Sequence, residues 1–448
     1  MRDLSRIVKA YDVRGVVPDE FDEEVARSLG AAFARFAAAP AILVAQDMRP
    51  SGDALVAAFT EGATSQGVDV VQAGLASTDM LYFGSGSLDM PGAMFTASHN
   101  PAQYNGVKLC RAGASPVGQE SGLREIRELM EQGVPAADAG TGTVTRNDLL
   151  ADYAAYLKRL VDLSGMRRLK VVVDAGNGMA GHTVPTVFEG LPLDVVPLYF
   201  ELDGSFPNHE ANPIEPANMA DLQAAVKANG ADVGLAFDGD ADRCFVVDER
   251  GEIVSPSAIT ALVASRELAK EPGATVIHNL ITSRAVPEIV TELGGTPLRT
   301  RVGHSFIKAE MARTNAIFGG EHSGHFYFRD FWRADSGMLA ALHVLAALGE
   351  SDGPLSALLS RFERYTASGE VNSTVADAQK ATARVREAFA SRPGVSIDDF
   401  DGMTVTTDAW WFNLRPSNTE PLLRLNVEAA DSPAMAALRD EVLALVRA

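Results

Sequence analysis

The sequence predicts an α/β protein of several units: three similar rounds in which strands alternate with helices to build parallel or mixed sheets, then a shorter α+β module. Three observations predict it. Short apolar runs alternate with helix-length amphipathic stretches. The alternation restarts after the Gly- and Ala-rich segment 133–143, and again near residue 251. Beyond about Thr366 short strands take over. At 448 residues the chain has room for roughly three or four domains, and these breaks divide it into 1–145, 146–250, 251–366 and 367–448.

Taken in order, Tyr11-Asp12-Val13-Arg14-Gly15 reads as a short edge strand closing on a glycine turn. Residues 22–39 form a helix, 41–45 a buried strand, 51–66 a second helix with Ser51 as its N-cap, and 68–71 another strand. Gly92-Ala93-Met94-Phe95 is a buried strand that delivers Ser98 to a loop, because Asn100-Pro101 and Asn105-Gly106 are turn dipeptides. In the second round 148–161 is helical, 169–174 is a strand, 176–178 a tight turn, and 232–237 a strand ending on Asp238. The third round has strands at 274–277 and 316–318 and helices from about 282, 305 and 335. The last module has strands at 402–405, 410–414 and 422–427 and a closing helix from 432. Strands and helices alternating in this way pack as a parallel sheet covered on both faces.

Composition excludes several classes. A hydrophobic share of 46% and a charged share of 22% are those of an ordinary globular chain, and no apolar run is long enough to cross a bilayer. A net charge of −20 works against nucleic acid, whose phosphates must be neutralised by Lys and Arg. A small phosphorylated ligand remains compatible, given a locally positive cleft. Residues 1–6 carry charges and no apolar secretion core. Cys110 and Cys244 are too few for a disulfide framework or a zinc site. The expectation is a cytoplasmic protein with reduced thiols and no membrane partner.

Four stretches carry chemistry. In Thr96-Ala97-Ser98-His99-Asn100-Pro101 a serine hydroxyl sits at a strand's end with Lys108 ten positions on, a pattern suited to a phosphoryl carrier, although loop serines also serve simply to turn the backbone. Asp238-Gly239-Asp240-Ala241-Asp242-Arg243 has carboxylates at every second residue after an apolar strand. On an extended backbone those three share a side and converge on one cation, and oxygen-only donors select a hard ion, Mg²⁺ before Ca²⁺. An EF-hand loop matches the acidic spacing and finds Glu249 at its twelfth position, but Arg243 stands where that loop needs glycine. A haloacid-dehalogenase type of phosphotransferase makes Asp238 the nucleophile and leaves Ser98 without a role. Gly320-Glu321-His322-Ser323-Gly324-His325 offers a carboxylate, a hydroxyl and two imidazoles, a set suited to adjacent sugar hydroxyls, and no zinc spacing accompanies it. Arg415-Pro416-Ser417-Asn418-Thr419-Glu420-Pro421 places a guanidinium beside hydroxyl and amide donors, as phosphate recognition requires.

In this order, with Tyr11 to Gly15 in front, the stretches resemble the α-D-phosphohexomutase family, and within it the bacterial phosphomannomutase/phosphoglucomutase group. The resemblance spans essentially the whole chain and implies four domains around a central cleft. It implies that Ser98 is the active phosphoserine, and that Asp238, Asp240 and Asp242 hold Mg²⁺ together with a phosphoryl oxygen on Ser98. Arg14, Lys108 and Arg243 then line the reaction centre. Glu321 and Ser323 hold the sugar's O3 and O4, Tyr11 and His325 join the substrate-binding set, and Arg415, Ser417, Asn418 and Thr419 hold the distal phosphate. The implied activity is the reversible interconversion of mannose 6-phosphate and mannose 1-phosphate, with glucose phosphates also accepted, by a monomer or homodimer. It runs through a phosphoserine and a hexose 1,6-bisphosphate that also primes the enzyme.

Lys108 is the expected general base, its pKa lowered by Arg14 and the metal, with His304 and His325 as alternatives. Asn418 favours the mannose/glucose group over phosphoglucosamine mutase, which is the second reading. A catalytically inactive cation-binding protein on the same fold is the third. Segment 278–284 has no lysine where some dual-specificity members carry one, which leaves a phosphate contact to Arg284 or Lys308.

Overall fold

The computed structural model describes residues 4–137, 140–416 and 422–448, with side chains at all of these but 304 and 305. Four sheets organise them, and the first three are built alike. In each, the first strand lies between two parallel partners, and the third strand turns back into an antiparallel fourth. In the first sheet Ala41–Gln46 is flanked in parallel by Asp69–Leu75 and Gly92–Phe95, and Tyr104–Arg111 returns antiparallel to the latter. Leu169–Asp174, Leu193–Leu198, Val233–Phe237 and Cys244–Asp248 repeat that order. So do Thr275–Asn279, Thr296–Thr300, Phe318–Gly320 and Phe326–Phe328. The sheets are therefore mixed, because the fourth strand is joined by a short loop rather than by a crossover helix. The fourth sheet, Thr366–Thr374, Leu422–Ala429, Trp410–Pro416, Met403–Thr406 and Ser396–Asp398, is antiparallel throughout.

Local chemistry accounts for most element ends. The helix Glu23–Ala37 starts where Asp22 Oδ1 accepts from Val25 N at 3.0 Å, and stops where Ala38 turns left-handed at φ 47°. Ser51 departs from expectation. It precedes the helix Gly52–Thr64 but makes no side-chain cap; its Oγ accepts instead from Asn105 Nδ2 at 2.9 Å, tying that helix to the strand after the Ser98 loop. The edge strand is Val13–Val16, paired with Tyr104–Arg111 so that Arg14 faces Gly106. A Cβ on Gly106 would lie 2.3 Å from Val13 O, so glycine is what lets this strand approach.

The first three units share one continuous core, running from Leu43 and Met80 through Val171 and Phe237 to Phe326 and the helix Gly337–Gly349. Each buried leucine of that helix contributes roughly 1.5–3 kcal/mol. At its N-terminus Ser336 Oγ donates to Asp79 Oδ2 at 2.6 Å, and Tyr153 Oη donates to the same oxygen at 2.7 Å. One buried carboxylate thus joins all three units. Burial pushes its pKa up to about 6, against the pull of its hydroxyl donors. The fourth unit has a separate core, from Ala381 to Val446. It is held to the third through Arg284, which donates from N to Glu428 Oε1 at 3.1 Å and from Nη1 to Asp408 O at 3.0 Å. Among the described residues no helix is long and apolar enough to cross a membrane.

Candidate active site

Three of the chemistry-bearing stretches occupy the same place in their units, the connection between two antiparallel neighbours. The Ser98 loop joins Gly92–Phe95 to Tyr104–Arg111, the Asp238 loop joins Val233–Phe237 to Cys244–Asp248, and residues 321–325 join Phe318–Gly320 to Phe326–Phe328. Ser417, Asn418 and Thr419, after the strand Trp410–Pro416, lie outside the described residues. The first three of these loops meet: Ser98 Oγ donates to Asp238 Oδ2 at 2.8 Å, and His325 Nε2 comes 3.7 Å from Asp242 Oδ1.

Ser98 is 5% exposed and takes a left-handed backbone, φ 50°. Its N donates to Thr96 Oγ1 at 2.8 Å and its Oγ to Asp238 Oδ2 at 2.8 Å. The loop and the acidic turn are in contact: a Cβ on Gly239 would lie 2.5 Å from Ser98 O. The three aspartates do converge, with one oxygen from each within 4.8 Å of the others, but not on an extended backbone. The strand ends at Phe237, and a turn closed by Ala241 N donating to Asp238 O at 3.0 Å, with Ala241 at φ 58°, brings the side chains together.

Asp240 Oδ1 and Asp242 Oδ1 are buried with no hydrogen-bond partner among the described residues. Two bare carboxylate oxygens beside a third carboxylate fit a hard divalent cation. Their other oxygens are taken by Lys108 Nζ, 2.7 Å from Asp240 Oδ2 and 2.6 Å from Asp242 Oδ2. Burial pulls the Lys108 ammonium down, but the two carboxylates outweigh it and hold the pKa well above the usual lysine range. In this ion-paired arrangement the two carboxylates hold Lys108 as a cation. The same pairing holds Asp240 far below the usual carboxylate range despite its burial, whereas burial pushes Asp238 up even beside Arg243.

Arg243 donates from Nε to Asp238 Oδ2 at 2.9 Å and from Nη2 to His99 Nδ1 at 2.6 Å. Burial, reinforced by Arg243 and Arg14, drives His99 down to about 2, so its ring is a neutral acceptor. Arg14 is held by Asp12 and Asn100. His325 faces the same centre, with Nε2 3.7 Å from Asp242 Oδ1 and Nδ1 2.9 Å from Ser323 Oγ. Ser98, Lys108, Arg14, Arg243, His325 and the three aspartates therefore come together from three units.

The remaining expected residues sit further out. Glu321 is buried, its Oε2 accepting from Tyr327 Oη at 2.7 Å and its Oε1 from Asn279 Nδ2 at 3.2 Å. Tyr11 reaches across from the first unit, its Oη 2.9 Å from where a Cβ on Gly303 would lie. His304 begins the helix His304–Thr314, and its side chain is outside those described. Among the described residues Arg415 makes loose ion pairs, 3.7 Å to Glu370 and 3.8 Å to Asp401. Arg284 and Lys308 are engaged elsewhere, the first in docking the fourth unit and the second in a buried pair with Asp335 at 2.7 Å. Sequence reasoning missed His99, Thr78 and Asn100. Thr78 Oγ1 donates to Asp240 Oδ2 at 2.6 Å, yet Ser77-Thr78-Asp79 reads locally as a helix cap and nothing more.

Fold and site together define an α/β protein of four units whose hydroxyl, carboxylates and fixed cations meet at one inter-unit cleft. The chain belongs to the phosphoglucomutase/phosphomannomutase family. Residues 5–136, 151–251 and 255–365 match its alpha/beta/alpha domains I, II and III, and residues 370–445 match its C-terminal domain. A phosphomannomutase of Escherichia coli is 40% identical over 98% of each chain. A protein of Xanthomonas campestris pv. campestris described as "phosphohexose mutases" is 40% identical over 97% of each. The crystal structure of a phosphoglucomutase/phosphomannomutase family protein from Burkholderia thailandensis is 33% identical and superposes with a TM-score of 0.90, covering 100% of this chain and 98% of that one.

Proposed function

We propose that the chain is a phosphomannomutase that interconverts mannose 6-phosphate and mannose 1-phosphate and also accepts glucose phosphates. Its working units are 1–145, 146–250, 251–366 and 367–448, in a cytoplasmic monomer or homodimer. The reading rests on the Ser98 hydroxyl, buried against Asp238 with Arg243 Nη2 3.5 Å away, while Lys108 pairs with the neighbouring Asp240 and Arg14 with Asn100 of the same loop. Family membership and the names of the 40% identical relatives support the substrate class.

Phosphorylated Ser98 gives its group to a sugar hydroxyl: the Ser98 Oγ–P bond breaks, a sugar O–P bond forms, and the hydroxyl proton passes to His325, His304 or, once freed of its carboxylates, Lys108. The hexose 1,6-bisphosphate turns over in the cleft and returns its other phosphate to Ser98. A loose, highly charged transition state makes positioning and electrostatics the main contribution, which Arg14 and Arg243 provide as fixed positive charge, joined by Lys108 where a histidine takes the proton. Mg²⁺ held by Asp238, Asp240 and Asp242 would supply further charge neutralisation on the phosphoryl oxygens. Arg415, with Ser417, Asn418 and Thr419, takes the distal phosphate, and Glu321 and Ser323 take O3 and O4.

Mannose and glucose differ only at C2, so a grip on O3 and O4 treats them alike. We expect kcat/KM for mannose 1-phosphate and glucose 1-phosphate to lie within about a hundredfold. Galactose 1-phosphate, with an axial O4, leaves buried polar groups unpaired and should fall about ten- to a hundredfold below. A coupled assay with mannose, glucose, galactose and glucosamine 1-phosphates tests this. Galactose equal to mannose would overturn the O3/O4 grip, and glucosamine above both would overturn the substrate assignment.

A further inference from the structure

Directly after the strand Ala41–Gln46 comes Asp47-Met48-Arg49, which the mechanism so far does not use. Arg49 is 2% exposed, and its guanidinium points into the back of the Ser98 loop. Nη2 donates to Ser98 O at 2.9 Å and Asn100 O at 2.7 Å. Nη1 donates to Pro101 O at 3.0 Å and Tyr104 O at 2.8 Å. Nε donates to Asp47 Oδ2 at 3.2 Å, which locks the fork in place. Four carbonyls from one short loop therefore turn inward onto one cation. With its carbonyl turned inward, Ser98 is held in the left-handed region at φ 50°, a conformation that a serine keeps only when its surroundings over-determine it. Its hydroxyl then points the other way, to Asp238.

The second unit covers this arrangement from outside. The Phe206 ring lies over the guanidinium, 5.3 Å from its centroid. A Cβ on Gly204 would come within 2.7 Å of Arg49 Cα, so the two segments are packed as closely as backbones allow. Lysine cannot reproduce the contact: its compact ammonium has three donors and no planar fork to span four carbonyls and a carboxylate.

We infer that Arg49 is a positioning residue for phosphoryl transfer, which sets the Ser98 loop in the one conformation that presents Oγ to the reacting phosphoryl group and touches no part of the sugar. The inference rests on the function proposed above and assigns that site its conformational support. Displacement of a reacting atom by about 1 Å costs on the order of a hundredfold in rate.

The test is rapid-quench measurement of Ser98 phosphorylation by glucose 1,6-bisphosphate on the full chain, with KM for mannose 1-phosphate measured in parallel. Arg49→Lys should slow phosphorylation about a hundredfold and leave KM within about threefold, because Glu321, Ser323 and Arg415 lie on other units and, among the described residues, Arg49 hydrogen-bonds Asp47 and the Ser98 loop, not Tyr11. Added guanidinium should recover part of the rate in Arg49→Ala, while Val44→Ala, a core truncation in the same unit, should lower stability without this split. Wild-type phosphorylation in Arg49→Lys, or a loss there that Val44→Ala reproduces at equal stability, overturns the role of Arg49. If Arg49→Lys does not fold, Phe206→Leu decides: removing the covering ring should slow phosphorylation several-fold, and an unchanged rate overturns the inference. A wild-type chain that takes no phosphate on Ser98 counts instead against the proposed function.

Discussion

The two sides of the cleft are built differently. On the Ser98 side the contacts are short and buried and cross between units: Ser98 to Asp238 at 2.8 Å, Lys108 to Asp242 at 2.6 Å, Thr78 to Asp240 at 2.6 Å. On the fourth unit's side, proposed to take the distal phosphate, Arg415 stands 3.7 Å from Glu370 and 3.8 Å from Asp401, on a unit with its own core. Burial lowers the Arg415 pKa, yet no close carboxylate answers its charge among the described residues. The difference separates two tasks. The groups proposed to meet a loose transition state are fixed in advance, where low dielectric makes them count most. The guanidinium expected to meet a ligand phosphate is left poorly paired, so that a dianion is the better partner.

The largest loss is expected at Ser98. Ser98→Ala should reduce mutase turnover by about a thousandfold or more, since no other hydroxyl occupies its place, and a steady-state assay primed with bisphosphate reads this directly. Asp240→Asn should follow, with kcat falling about a hundred- to a thousandfold and KM nearly unchanged, because the charge it organises matters in transfer more than in binding. Stripping divalent cations with a chelator should produce the same pattern, reversed by Mg²⁺. Arg415→Ala should do the opposite: KM for every phosphosugar should rise about ten- to a hundredfold while kcat changes little. An unchanged KM would remove Arg415 from the phosphate site and end the comparison.

A smaller effect is expected in stability, at the buried carboxylate of Asp79. Burial holds Asp79 at about 6 against its ordinary 3.8, so between those values the folded chain keeps a proton that the unfolded chain has released. Its contribution is therefore most favourable below about pH 4 and is lost as pH rises to about 6, by roughly 3 kcal/mol at about 1.4 kcal/mol per unit. Asp79→Asn cannot titrate. Denaturant unfolding of both proteins from pH 4 to 7 should show the wild type losing that much stability relative to the variant, and a constant difference would mean the carboxylate is ionised throughout.

Local pattern carried much of this architecture. Apolar runs ending at Phe95 and Phe237 announced the strands, and turn dipeptides and alternating aspartates announced the loops that follow them. What local pattern did not carry is whatever depends on distant neighbours. Asp238, Asp240 and Asp242 converge through a turn with Ala241 at φ 58°, not through a strand's alternation. Lys108 has a raised pKa because the second unit's carboxylates reach it across the cleft, which no spacing within the first unit discloses. Ser51 binds Asn105 rather than capping its own helix, and Arg49 serves carbonyls some fifty residues away, such as Ser98 O.

The most direct test of the central claim asks which atom carries the phosphate. After incubation with glucose 1,6-bisphosphate, intact mass and peptide mapping should find one added phosphoryl group on Ser98, stable to hydroxylamine as a phosphoserine ester is. A hydroxylamine-labile phosphate on Asp238 would contradict the account, making the acidic turn the nucleophile and the Ser98 loop its scaffold.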